Sequence, residues 1–391
     1  MRGCNRPQTD VVVDALLGIG ANRPLADDLL AYVHAINHRP VTVPCVAVDV
    51  PTGCYGDGEV TSPVMVHADM TYATGPRKLA TCFMPGLAAA GVVHACDIGL
   101  VSQSPLTCHE ATADVAAAWL PARPLDSYKG TFGTLCVWAG SAAYPGAATL
   151  CCHAALRAGT GIVSLATTLS LAPLLWRMPE LTLTLLDGHP LTSLSDGRFD
   201  AYLLGPGLGR DGDTHALLTS FLHPAQLGKR PVVLDADALT LISQNPRWYE
   251  SIPAASAVLT PHVGELRRLC GGDIPAGDPV SVACTLAARW RQVLVMKGST
   301  TVIAAPDGTC FVWPHPNPVL AVGGSGDVLA GIIASLLAQG VVHVRAAVLG
   351  VVIHGLAAIH MRQTIGDAGI LASELIACIP HVLAQLRQRA I

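Results

Sequence analysis

The densest chemical signal in the chain is AVGGSGDVLAGIIASLLAQG, residues 321–340. Three glycines and a serine lead into an apolar run with helical spacing. A helix N-terminus exposes unpaired N–H groups and a partial positive charge, so it holds anions. Glycines there let the backbone approach phosphate oxygens without a Cβ in the way. Asp327 falls in the first turn, where the helix dipole is expected to favour its ionised form, as a general base requires. The same spacing also suits a simple helix cap, and it is neither a P-loop nor a dinucleotide fingerprint.

Four weaker signals accompany it. GPGLG (205–209) follows a strand, and Gly207 there lets a ligand lie against the backbone or simply makes a tight turn. TPHVGE (260–265) opens a helix and sets His262 near Glu265, a pair that serves as caps as readily as catalysts. KGSTT (297–301) brings Lys297 and hydroxyls to a strand end, suited to phosphate or to a solvated hairpin turn. Near the front, Asp14 and Asp49 end two apolar strands, where ligands of parallel sheets bind and where turns are also capped.

The elements that must position these residues alternate strand and helix throughout. TDVVVDALLGIG (9–20), a helix over 27–37, VPCVAVDV (43–50) and VVHACDIGL (92–100) form a short α/β unit of three or four strands. Pro105, Pro121 and Pro124 mark a break. Strands are then expected at 133–141, 161–167, 200–209, 231–237, 256–262, 292–298 and 301–308, with a helix over 147–159. Roughly 260 residues of this alternation indicate one three-layer α/β/α domain.

Composition narrows the classes. The 391 residues are 51% hydrophobic and 13% charged, with a formal net charge of −4, so disorder and a basic nucleic-acid footprint are excluded. Mean hydropathy is +0.46. The apolar stretches Val328–Val344 and Ala346–Met361 fall short of a membrane span and read as buried helices. Thirteen cysteines without a C-x-x-C pair fit neither a disulfide framework nor a zinc knuckle. They suit a reducing compartment, and no membrane partner or secretory signal is expected.

Read in order, SYKGTFG, GAATL, RAGTG, GPGLG, LDADAL, TPHVGE, KGSTT and NPVLAVGGSGDVLAG resemble the ADP/ATP-dependent NAD(P)H-hydrate dehydratases, of ribokinase-like fold. VDALLGIGANRP (13–24), AVDVPTG (47–53) and DIGL (97–100) are similar to the later part of the NAD(P)H-hydrate epimerase domain often fused ahead of them. The implied organisation is a partial Rossmann-like epimerase domain over 1–104, a linker over 105–126 and the dehydratase over 127–391.

The resemblance implies that a nucleotide phosphorylates the hydroxyl of (S)-NAD(P)H hydrate and that loss of phosphate restores NAD(P)H. It makes Asp327 the base and implies hydrate contacts at Ala147, Gly207 and His262. It implies that Lys297, Gly298, Ser299, Thr300, Thr301 and Gly326 hold ADP or ATP, with Mg2+ on the phosphates. In the epimerase part it implies a K+ site at Asp14 and Thr52, a substrate loop at Gly18–Pro24 and a hydrate contact at Asp49. The family's phosphate loop precedes the point where this chain starts, so epimerase activity is not expected from it. Val322, Val319-Leu320, Tyr128 and Val263 depart from the usual Thr or Ser, Gly-Met, His and Pro. A cytoplasmic homo-oligomer is expected. The rival readings are a small-molecule kinase on the same fold and a non-catalytic nucleotide-binding remnant.

Overall fold

A computed structural model describes residues 9–21, 23–55, 62–100, 107–169 and 178–389. The chain divides into two compact units, Met1–Leu106 and Thr107–Ile391.

The first unit holds β1 (Val12–Asp14), α1 (Asp27–Asn37), β2 (Cys45–Val48), β3 (Met70–Thr74), α2 (Gly86–Ala90) and β4 (Val92–Cys96). The strands pair in parallel in the order β1-β2-β3-β4. Leu25, Val33, Cys45, Ala47, Val66 and Ala68 form its main core. Asp14 ends β1, and Asp49 directly follows β2.

The second unit begins with β5 (Cys108–Glu110), α3 (Ala113–Trp119), β6 (Thr134–Trp138), α4 (Pro145–Arg157), β7 (Ile162–Thr167) and β8 (Thr182–Leu185). It continues with α5 (Pro190–Ser195), β9 (Ala201–Leu204), α6 (Gly212–Leu222), α7 (Pro224–Leu227), β10 (Val232–Leu234), α8 (Asp237–Ile242), β11 (Ala257–Leu259) and α9 (Val263–Leu269). It ends with α10 (Pro279–Trp290), β12 (Val293–Met296), β13 (Thr301–Ala304), β14 (Cys310–Trp313), α11 (Ser325–Ala338), α12 (His343–Thr364) and α13 (Ala372–Arg389).

Among the described residues its sheet has ten strands, in the order β5-β14-β13-β12-β11-β10-β9-β6-β7-β8. Only the β12–β13 and β13–β14 pairings are antiparallel. Every residue of β9, β10 and β11 is buried, so both sheet faces are covered by helices and the unit has three layers. The expected three-layer α/β/α architecture holds for this unit.

One helix matters most. From Val328 to Ala338 every residue of α11 is buried. It lies against α4, α12 and the strands β9 and β10. Gly331 makes the α4 approach possible: a Cβ there would lie 2.4 Å from the Cys151 carbonyl oxygen. The neighbouring α12 is long and apolar enough to cross a membrane, with a mean hydropathy of 1.7. Its apolar window is 72% buried inside the unit, as expected of a core helix.

The segment expected as a linker is structured. Cys108–Glu110 pairs in parallel with β14, and α3 packs on α12 and α13. Thr112 caps α3 by accepting from the Val115 N–H at 3.2 Å. The seam lies before Thr107, whereas Pro121 and Pro124 follow α3. A three-residue edge strand carries too little pattern to be read from sequence.

Candidate active site

The C-terminal ends of β10, β11 and β12 carry Asp235, Thr260 and Lys297 side by side. Asp235 is 2% exposed. The Lys297 Nζ donates to its Oδ1 at 2.9 Å, and the Thr260 hydroxyl donates to the same oxygen at 2.7 Å. The Lys297 N–H reaches the Pro261 carbonyl at 2.9 Å, which ties the β12 end to the start of TPHVGE. A buried charge needs such a partner, because removing either one strands the other.

Ala236 follows Asp235 at φ +51°, a conformation that residues with a Cβ rarely adopt. Asp237, next along, accepts from the Gly209 N–H at 3.0 Å and from Arg210 Nε at 2.6 Å. The strained Ala236 thus stands between one carboxylate that holds Lys297 and another that holds the GPGLG loop, as strain often does at functional sites. LDADAL is one of the motifs that carry the resemblance, but Asp235 and Asp237 are not among the expected site residues. Two acids just past an apolar strand were the available signal.

Asp327 lies in the first turn of α11 and lines a cleft of about 550 Å3 with Tyr144, Ala147, Gly207, Arg210 and Asp237. Its carboxyl is pushed up to about 7 by burial and by the Asp235 charge, against the pull of Lys297. Asp237 and Glu265 push the same way. Burial and neighbouring carboxylates therefore push against the ionised form that the helix dipole is expected to favour. Lys297 is held above the ordinary lysine value, since Asp235 and Glu265 outweigh its own burial.

Glycines keep the cleft open. Gly207 has φ +59°, and a Cβ on it would lie 2.8 Å from the Ala147 and Tyr144 Cβ atoms. Gly324 has φ +91° and caps α11. A methyl on Gly326 would lie 3.4 Å from Lys297 Nζ, which places that ammonium over the first turn of α11. The N–H groups of Gly326 and Asp327 have no intrahelical acceptor.

His262 does cap α9. Its Nδ1 accepts from the N–H groups of Gly264 (2.9 Å) and Glu265 (3.2 Å), and Glu265 Oε2 accepts from the His262 N–H at 2.9 Å. Nδ1 is therefore the acceptor, which leaves Nε2 to carry the proton on an exposed ring, 3.5 Å from Glu265 Oε1. His262 and Lys297 are joined by a parallel β-bridge. Gly298 and Ser299 are exposed in the β12–β13 turn, Thr300 is buried, and Thr301 opens β13.

Asp14, Thr52 and Asp49 belong to the first unit. Asp14, 1% exposed, accepts from the Thr52 N–H and hydroxyl, both at 2.7 Å. Asp49, at φ +73°, accepts from Lys78 Nζ at 2.5 Å and from the Thr74 hydroxyl. Burial would raise the Asp49 carboxyl, but Lys78 and Thr74 together hold it below its ordinary value. In the substrate loop over Gly18–Pro24, Asn22 lies outside the described residues. A larger depression of about 920 Å3 lies by Thr184, His189 and Arg198 and includes none of the expected residues.

Comparison with known proteins accounts for both units. The NAD(P)H-hydrate dehydratase family model matches residues 135–381, and the model of the YjeF-related protein N-terminus matches residues 2–80. A bifunctional NAD(P)H-hydrate repair enzyme of Thermofilum pendens is 35% identical over 97% of this chain and 74% of its own length. That of Escherichia coli is 32% identical over 96% and 72%. An ADP/ATP-dependent NAD(P)H-hydrate dehydratase from Bacillus subtilis, co-crystallised with ATP and Mg2+, superposes with a TM-score of 0.61 at 31% identity. It covers 71% of this chain and 98% of that one. The chain therefore belongs to the NAD(P)H-hydrate dehydratase family, with a YjeF-related N-terminal region ahead of the dehydratase domain.

Proposed function

We propose that the cleft of the second unit repairs hydrated NAD(P)H by nucleotide-dependent dehydration, with Asp327 as the base. The observation that carries this reading is the place of the Asp327 carboxyl, in the first turn of α11 and lining a cleft beside Lys297, where burial and the Asp235 charge push it up to about 7. A general base works best with a pKa near the working pH.

The residues fit an adenine nucleotide. Side-chain-free Gly326 keeps space between the end of α11 and the Lys297 ammonium. Lys297, Gly298, Ser299, Thr300, Thr301 and Gly326 would hold it, with Mg2+ on its phosphates. Bound ADP or ATP supplies the phosphoryl group that turns a poor leaving hydroxyl into a good one. Asp327 takes the proton from the hydrate hydroxyl. Lys297 and the Gly323–Gly326 amides offset the negative charge at the reacting centre, where positioning and neutralisation matter more than covalent help. Ala147 and Gly207 shape the wall for the substrate, and the His262 Nε2–H donates to it. The ring nitrogen's lone pair then restores the dihydronicotinamide as phosphate departs.

In the first unit the reading gives Asp49 a hydrate contact. It gives Asp14 and Thr52 a K+ site; a buried carboxylate whose three hydrogen-bond donors are all neutral suits a monovalent cation. The reading extends to a cytoplasmic homo-oligomer with a small-molecule substrate and no nucleic-acid or membrane partner, and the twelve free cysteines among the described residues suit a reducing compartment.

The test is to supply NADH hydrate with ATP or ADP and follow the absorbance of recovered NADH. Recovery that depends on nucleotide supports the reading. A stable phosphorylated product without recovery would make the chain a kinase, and nucleotide binding without turnover would make it a remnant.

A further inference from the structure

Among the described residues, Arg210 is the single basic side chain that lines the candidate cleft. It is 58% exposed, whereas the Asp237 side chain that holds it is 10% exposed. Arg210 Nε donates to Asp237 Oδ1 at 2.6 Å, and the Gly209 N–H donates to Asp237 Oδ2 at 3.0 Å. One buried carboxylate thus fixes both the backbone ahead of Arg210 and one edge of its guanidinium. Asp211, the next residue, does not compete for that side chain. Its Oδ1 accepts from the Thr214 N–H at 2.9 Å and its Oδ2 from the Thr214 hydroxyl at 2.8 Å.

The bond to Asp237 runs through Nε, so the terminal nitrogens of the guanidinium keep their N–H donors for a ligand. Arginine retains its charge and its planar fork while one edge is occupied, which suits it to phosphate oxygens. The other charged residues of the lining, Asp237 and Asp327, are acids and oppose an anion. The Lys297 ammonium beside the cleft is already paired with Asp235. An anionic group that enters with the substrate therefore meets its counter-charge at Arg210.

We propose that Arg210 binds the substrate through the phosphate next to the nicotinamide ribose, and so makes the site selective for phosphate-bearing hydrates. The inference rests on the dehydratase reading of this cleft and deepens it. Asp327 and Arg210 line the same cleft. A hydrate that presents its ring hydroxyl to Asp327 carries a ribose, and then a phosphate, into the same space. The 2′-phosphate that distinguishes NADPH from NADH sits on the far adenosine. The bound phosphate takes no part in the reaction, so its contact with Arg210 is equally strong before and during the chemical step. Such a contact lowers KM and leaves kcat alone.

The test compares Arg210→Ala with wild type, at saturating ATP, on the hydrates of NADH, NADPH, reduced nicotinamide mononucleotide and reduced nicotinamide riboside. KM for the first three is expected to rise by about 10- to 100-fold, with kcat within a few-fold of wild type. The riboside hydrate has no phosphate, so wild type and variant should share one KM on it. A general distortion of the cleft would show on that substrate too. Arg210→Lys keeps a point charge without the fork and should recover part of the loss. It gives the same comparison if Arg210→Ala fails to fold. An unchanged KM for NADH hydrate, an equal rise on the riboside hydrate, or a rise confined to NADPH hydrate would each overturn the inference; the last would put the contact at the 2′-phosphate. Absence of NADH recovery by the wild-type chain would instead remove the dehydratase reading, and this inference with it.

Discussion

The ammonium of Lys297 stands 2.9 Å from the buried Asp235 carboxylate, and the two act in opposite senses on Asp327. Asp235 raises the Asp327 carboxyl and Lys297 lowers it. The pair joins strands β10 and β12 across β11, so the sheet order itself sets the charge balance at the base.

That balance makes opposite predictions for two substitutions. Lys297→Met removes the charge that favours the Asp327 carboxylate, so the acid limb of the kcat/KM profile should move up by about one unit. Asp235→Asn removes the repulsion and leaves Lys297 in place, so the limb should move down by a similar amount. Lys297→Met should also weaken nucleotide binding, readable by calorimetry. Limbs that move together, or not at all, would separate Asp327 from this pair.

In the wild-type enzyme, kcat/KM should fall as pH drops through about 7, because a base must be unprotonated to act. Stability follows the same group with a defined sign. Its folded value is raised, so its favourable contribution is complete below about pH 4 and is lost as pH rises through about 7. Asp327→Asn should therefore be more stable than wild type at pH 8, by about 2–3 kcal/mol once partial solvation is allowed for. The gap should close near pH 4, as thermal melts at the two pH values would show.

Gly207→Ala tests the cleft wall. A Cβ there meets three atoms at 2.8–2.9 Å, from Ala147 and Tyr144, at φ +59°. The expected cost is about 1–3 kcal/mol of stability. KM for the hydrate should rise more than KM for the nucleotide. A melt and a two-substrate kinetic series read the two effects, and an equal rise in both constants would argue against a substrate wall here.

Much of this architecture was legible in the amino-acid order. The helix expected over 27–37 is α1 to the residue, because its apolar spacing is regular and its ends are polar. The glycine turn feeding a buried helix is α11 as expected. Missed were β3, β5 and β8, five, three and four residues long, and β14, which closes a hairpin too short to show periodicity. The Lys297–Asp235 pair spans 62 residues of sequence and exists only because β10, β11 and β12 lie side by side. The upward push on the Asp327 carboxyl is hidden from the sequence for the same reason. A helix dipole is local and readable, whereas burial and a carboxylate brought in from another strand are not.

The most direct measurement is turnover of NADH hydrate with ATP by Asp327→Asn, alongside titration of hydrate and nucleotide binding to the same variant. The account expects binding within a few-fold of wild type and NADH recovery reduced by about 10²–10⁴. Recovery at near wild-type rate, with binding intact, would show that another group removes the proton.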